Sequence, residues 1–314
     1  ETMPPPPSYA ELMLQQQTPA PNNALWDVSN DTLAASQQQP LSSIEPLPPQ
    51  PQESLPIRDR LTMSICDYEN LISKNKIEIF YLSTSQGRIT NQPSKDSTNG
   101  CTVISPLVAS MHLQSDELGI TNSNIDRVID DIAPPILLRV RKKLGLNVNA
   151  FIVPSDVHDF LVDENILLQE QFVGVVGGNI LDDSHAGEFL KMLETGTDGS
   201  NVKPTENGYH NTASQNRKVA AALFFHEHVV SIVKTVHSNG SRCYYDLVDS
   251  MPNFASNTGT RTRCKDIECF KATLSWYACR KFTTNELDYI DKNNWNADMC
   301  DFDPRVFQAF VWKE

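Results

Sequence analysis

Three side chains in this sequence have the types and surroundings for nucleophilic chemistry: the thiol of Cys101, the imidazole of His228 and the carboxylate of Asp249. Cys101 ends the polar turn Thr98-Asn99-Gly100-Cys101 and precedes Val103, Ile104, Leu107, Val108 and Met111, an apolar set with helical spacing. A thiol at such a place meets helix amide groups that favour its thiolate and a developing oxyanion. A histidine with one nitrogen held by a carboxylate is the base such a thiol needs near neutral pH.

The elements that must bring these groups together are legible in the sequence. A strand is predicted from about Ala221 to Val236, then the turn Ser238-Asn239-Gly240-Ser241, then a second strand from Arg242 to Val248. With Asn239 and Gly240 central in the turn, Val230 faces Asp249 and Val233 faces Asp246. Side chains alternate along a strand, so Asp249 shares the face of His228, one diagonal step away, while Asp246 points to the other side. On that reading His226 lies on the same face as His228. His226, His228 and Asp249 are therefore also the candidate ligands of an open metal site, an alternative in which Cys101 is dispensable. Pro106 would clash in a helix already running from Cys101, so the helix is expected to start four residues later, with Ser105 as cap.

Helical patterns also fall at Asp67 to Ile72, Asn124 to Ile132, Pro135 to Leu144, Ser155 to Glu164, Glu188 to Thr195 and around Ile267, Phe270, Leu274 and Tyr277. Strand patterns fall at Lys76 to Leu82 and Val306 to Trp312. Helices come first and the sheet follows, which predicts an α+β fold with a helical first half packed on an antiparallel sheet, in one domain from residue 57 to 314. The polar stretch from Gly196 to Asn216 is long for a loop inside a compact domain unless it is functional. From Glu1 to about Pro56 the chain is rich in Pro, Gln, Ser and Asn and is expected to be a disordered tail. Within it Pro6, Pro7, Ser8 and Tyr9 form a PPxY sequence, the kind of polyproline ligand that docks on WW domains.

The order Cys, His, Asp, carried by Asn99-Gly100-Cys101, by His228-Val229-Val230-Ser231-Ile232-Val233 and by Tyr245-Asp246-Leu247-Val248-Asp249-Ser250, resembles papain-fold cysteine proteases. It is most similar to their deubiquitinase branch, including Josephin-type domains, over three short motifs. The resemblance implies a papain-like fold, with Cys101 as nucleophile, His228 as general base and then acid, and Asp249 as its orienter. It also implies cleavage of peptide or isopeptide bonds after ubiquitin or a ubiquitin-like modifier, without a cofactor. Such proteases usually carry Gln or Asn about five residues before the cysteine as an oxyanion donor. Lys95, Asp96 and Ser97 stand there in this chain, leaving Gln92 and Asn99 as the substitutes. That departure leaves open a catalytically inactive adaptor that binds a ubiquitin-like protein or a WW-domain ligase.

Bulk composition excludes several other classes. Lys and Arg number 26 against 39 Asp and Glu, a formal charge of -13, so the surface repels nucleic-acid backbones. There is no apolar run of about 20 residues to cross a membrane and no secretory pattern, and the 7 cysteines lack framework spacing. A reducing cytoplasmic or nuclear setting is the expectation. Cys264, Cys269, Cys279 and Cys300 have no C-x-x-C spacing and fit no standard zinc site. Phosphate-loop, G-x-S-x-G and H-E-x-x-H motifs are absent, and Gly174 to Gly178 lacks the dinucleotide fingerprint.

Overall fold

The computed structural model describes residues 55–115, 119–196, 218–236, 243–253, 255–296 and 303–314. The PPxY segment with Pro6, Pro7 and Tyr9, nearly all of the 196–216 loop and the Asn239-Gly240 turn lie outside the described residues. The span Leu55–Glu314 forms one compact unit.

A central antiparallel sheet organises it. In chain order the strands are β1 (Ile77–Tyr81), β2 (Phe172–Asn179), β3 (Val219–Phe225), β4 (His228–Val236), β5 (Cys243–Asp249), β6 (Thr260–Cys264) and β7 (Val306–Lys313). Their order across the sheet is β1-β6-β5-β4-β3-β7-β2. The main helices are α1 (Ile57–Ser73), α2 (Cys101–Gln114), α3 (Asn122–Arg127), α4 (Ala133–Leu144), α5 (Pro154–Asp163), α6 (Asp183–Thr195), α7 (Ile267–Cys279) and α8 (Thr284–Lys292). The class is α+β, as the order of patterns predicts.

Each sheet face has its own apolar core. Val219, Ala221, Leu223, Val230, Ile232 and Leu247 pack with Tyr68 of α1, Phe189 of α6, Phe270 of α7 and Leu287 of α8. Ala220, Ala222, Val229, Val233 and Val248 pack with Ile104 of α2, Ile125 of α3, Leu137 of α4 and Phe160 of α5. Central strands buried on both sides have no reason to alternate apolar with polar, which is why β3 and β4 read as one long strand. The run is in fact two strands. His226 and Glu227, with φ +54° and +61°, form a tight left-handed turn that pairs Phe225 with His228.

α2 is apolar nearly all round and fills the middle of the second core. It begins at Cys101 and contains Pro106, so the start expected at Ser105 is corrected. The missing N–H of Pro106 forfeits only the bond to the Thr102 carbonyl. Ser105 is instead a staple to β4: its Oγ donates to the Val229 carbonyl at 3.0 Å, and Ser231 Oγ donates to the Ser105 carbonyl at 3.2 Å. Farther along, His112 Nε2 bonds the Lys234 carbonyl at 2.9 Å. These cross-links hold α2 along β4 and bring the first residue of the helix to the first residue of the strand.

Candidate active site

The Cys101 side of the site rests on a pinned loop. Asn99 takes φ +55°, which Asn tolerates better than most residues, and Gly100 folds back so that its N–H bonds the Ser97 carbonyl at 2.9 Å. A Cβ at Gly100 would lie 2.6 Å from that carbonyl, so glycine is required by close approach. Val103 and Ile104 both return their N–H groups to the Gly100 carbonyl, Arg141 donates to the Thr98 carbonyl, and Asp96 accepts from the Thr98 N–H. Cys101 is consequently the first residue of a well-anchored helix, at its positive end.

His228 comes from the other side, directly after the left-handed turn. Its Nε2 is 2.8 Å from Asp249 Oδ1, and that same carboxylate oxygen accepts the Met251 N–H at 2.9 Å. The pairing of Ser231 with Val248 and of Val233 with Asp246 is the register expected from the sequence, and it sets Asp249 diagonal to His228. Cys101 lies beside His228, close enough that the imidazole and the backbone N–H groups of Val229 and Thr102 all act on its thiol. With Nε2 held by Asp249, Nδ1 is the nitrogen left for sulfur.

The electrostatics follow from this geometry. Burial alone would push the Cys101 thiol up, but the His228 hydrogen bond and charge and the two backbone amides outweigh it and lower the pKa. Burial alone would lower His228, but the charge and hydrogen bond of Asp249, with a contribution from Cys101, raise it to about 9. Asp249 is half-buried, which opposes its charge, yet the charge and hydrogen bond of His228, with the charge of Lys281, hold its pKa low. Burial is not outweighed at the other thiols of the site's surroundings: Cys264 is raised to about 12, Cys269 to about 11, and Cys279 is also raised. The arrangement therefore favours a thiolate beside an imidazolium.

The remaining sequence candidates are placed elsewhere. Asn99 Nδ2 donates to the Asn149 carbonyl at 3.3 Å, and Gln92 is solvent-exposed at the start of a short 3-10 turn. Neither contact is with Cys101. His226 does not share the face of His228, because it belongs to the turn, and its Nε2 is 2.9 Å from Glu286 Oε1. The three-ligand metal site expected from a continuous strand is therefore not assembled, and no group of three or more metal-ligating side chains occurs among the described residues.

Two residues near the site were missed in the sequence. Gln86 accepts from Ser250 Oγ at 3.0 Å and donates to Met251 Sδ at 2.9 Å, beside Asp249; only its place in a turn was legible. Tyr277 of α7, read as one stripe residue of an amphipathic helix, is pushed far up by burial and by the charges of Asp249 and Cys101. Its buried hydroxyl has no hydrogen-bond partner. Tyr277→Phe is expected to leave thermal stability unchanged or slightly higher, because it removes an unsatisfied polar atom and keeps the ring. A melting curve checks this, and a clear loss of stability would mean that the hydroxyl has a partner in solution.

No protein-family model matches the sequence. Among curated proteins there is likewise no match. The crystal structure of the ubiquitin-specific protease encoded by murine cytomegalovirus tegument protein M48, bound to a ubiquitin-based suicide substrate, is similar at a TM-score of 0.41 and 12% identity. The alignment covers 76% of this chain and 86% of that one. A score of that size does not establish a shared fold, and the site stands on its own geometry.

Proposed function

We propose that the 55–314 unit is a papain-like thiol hydrolase that cleaves peptide or isopeptide bonds after ubiquitin or a ubiquitin-like modifier. The observation that carries this reading is an imidazole whose Nε2 is fixed by Asp249 at 2.8 Å and which stands beside the Cys101 thiol and lowers its pKa. The modifier as substrate comes from the motif resemblance alone. Cys101 thiolate adds to the scissile carbonyl carbon, and backbone N–H groups at the start of α2 are the donors offered to the oxygen. His228 passes its proton to the leaving amine as the C–N bond breaks, giving a thioester. Neutral His228 then takes a proton from water as it attacks the thioester, releasing the acid and restoring the thiolate–imidazolium pair.

A second reading, an adaptor that binds such a modifier without cleaving it, is favoured by one observation: Asn99 and Gln92 are turned to other partners or to solvent. Losing an oxyanion donor costs about 100-fold to 1000-fold in rate. Labelling of the purified protein with electrophilic ubiquitin and ubiquitin-like probes separates the two. A hydrolase forms an adduct that Cys101→Ala abolishes. An adaptor forms none, and keeps its partners in the Cys101→Ala variant. The PPxY segment offers a WW-domain protein as a further partner under either reading, testable by pull-down with Tyr9→Ala as control.

A further inference from the structure

The turn that delivers His228 is built from unfavourable residues. Two-residue hairpin turns with left-handed backbone at both positions favour Asn and Gly. Here the positions are filled by His226 and Glu227, at φ +54° and +61°. A side chain bearing a Cβ is strained in that region, and such strain persists only where surrounding contacts fix it.

The fixing contacts converge on His226. Its Nε2 is 2.9 Å from Glu286 Oε1, and its ring packs edge-on against Phe282, with centroids 6.1 Å apart. Glu286 is itself immobilised: its Oε2 accepts from both the N–H and the Oγ1 of Thr283 at 2.7 Å, as one half of the capping box that starts α8. One carboxylate thus ties the beginning of α8 to the turn, and only Glu227 separates the tied residue from His228.

We infer that His226 and Glu286 are positioning residues that clamp the strained turn and so fix the approach of the His228 imidazole to Cys101. They touch neither sulfur nor Asp249, and they act only through His228. This inference rests on the thiol hydrolase reading. It has a consequence that a purely structural turn would not: the best turn sequence for stability is the wrong one for reactivity. The double variant His226→Asn with Glu227→Gly supplies favoured left-handed residues while removing the anchor to Glu286. Its melting temperature is expected to equal or exceed that of the wild type. The rate of Cys101 alkylation by iodoacetamide at pH 6 is expected to fall about 10-fold to 100-fold, as misplacement of a reacting group by about 1 Å does.

Glu286→Gln, which retains the cap and a neutral hydrogen bond to His226, is expected to lie closer to wild type than Glu286→Ala. The full chain is alkylated across pH 5 to 10, the modified peptide being identified by mass, with melting curves in parallel. Wild-type reactivity at pH 6 combined with a stable but slow double variant supports the clamp. Wild-type reactivity at pH 6 with an equally fast double variant overturns the clamp and leaves the hydrolase reading intact. A wild type whose Cys101 reacts only in the range of an ordinary thiol, about pH 8.5, overturns the hydrolase reading, and the clamp falls with it.

Discussion

His228→Ala is expected to lower turnover of a ubiquitin-derived substrate by about 10⁴-fold or more, a loss of the size found when one member of a cooperating catalytic set is removed. The reason is visible in the charges around Cys101. That thiol is buried, which disfavours its anion, and the hydrogen bond and charge of His228 are the leading factors that reverse the effect. Without the imidazole, the Val229 and Thr102 amides and the end of α2 remain, but the charge that opposes burial is gone. Alkylation of Cys101 should consequently require alkaline pH in the variant. Folding should survive, because the apolar contacts of β4 belong to Val229, Val230, Ile232 and Val233.

Asp246→Ala is expected to have the largest effect on stability, about 3 to 5 kcal/mol, the cost of stranding a buried charge. Asp246 is fully buried on the face of β5 opposite to that of Asp249. Its Oδ2 accepts from Arg261 Nη2 and from Arg263 Nη2, the latter at 3.0 Å, and its Oδ1 accepts from Arg263 Nε at 2.8 Å. Removing the carboxylate leaves the buried Arg261 guanidinium with the Ile120 carbonyl and Asn122 as neutral partners. A drop in melting temperature of roughly 10 °C is the expected reading. A drop below about 2 °C would mean that water enters and solvates the two arginines. The pair of aspartates on one strand thus separates by role: Asp249 variants should lose reactivity first, Asp246 variants should lose the fold first.

The parts of this site that could be read from sequence are those governed by local periodicity. The β4–β5 register follows from the Asn239-Gly240 signal and the two-residue repeat, which together distinguish Asp249 from Asp246. Cys101 was legible because a polar turn meets an apolar helical run there. The left-handed turn at His226 and Glu227 was not, since neither residue type signals it and the flanking strands, buried on both faces, lack the regular polar alternation that would mark where each one ends. β6 was missed for a related reason. Its alternating arginines carry no local sign of burial, and only the distant Asp246 lets Arg261 be buried and Arg263 half-buried. β2, with Gly174, Gly177 and Gly178, has too little β-propensity to stand out. α8 does carry a local signal, the capping box from Thr283 to Glu286. Pro106 misled because a proline at the sixth residue of a helix usually argues for a later start. Here burial in the second core and the Ser105 staples to β4 outweigh the lost hydrogen bond.

The central claim is the thiolate–imidazolium pair of Cys101 and His228, and the pH dependence of alkylation at Cys101 in the wild-type protein tests it most directly. The pair predicts a rate already high below the ordinary thiol range of about pH 8.5, changing again as His228 loses its proton near pH 9, while Cys264 and Cys269 react only at much higher pH. A Cys101 rate that rises as a single step in the range of an ordinary thiol, about pH 8.5, and that is unaffected by His228→Ala would contradict it.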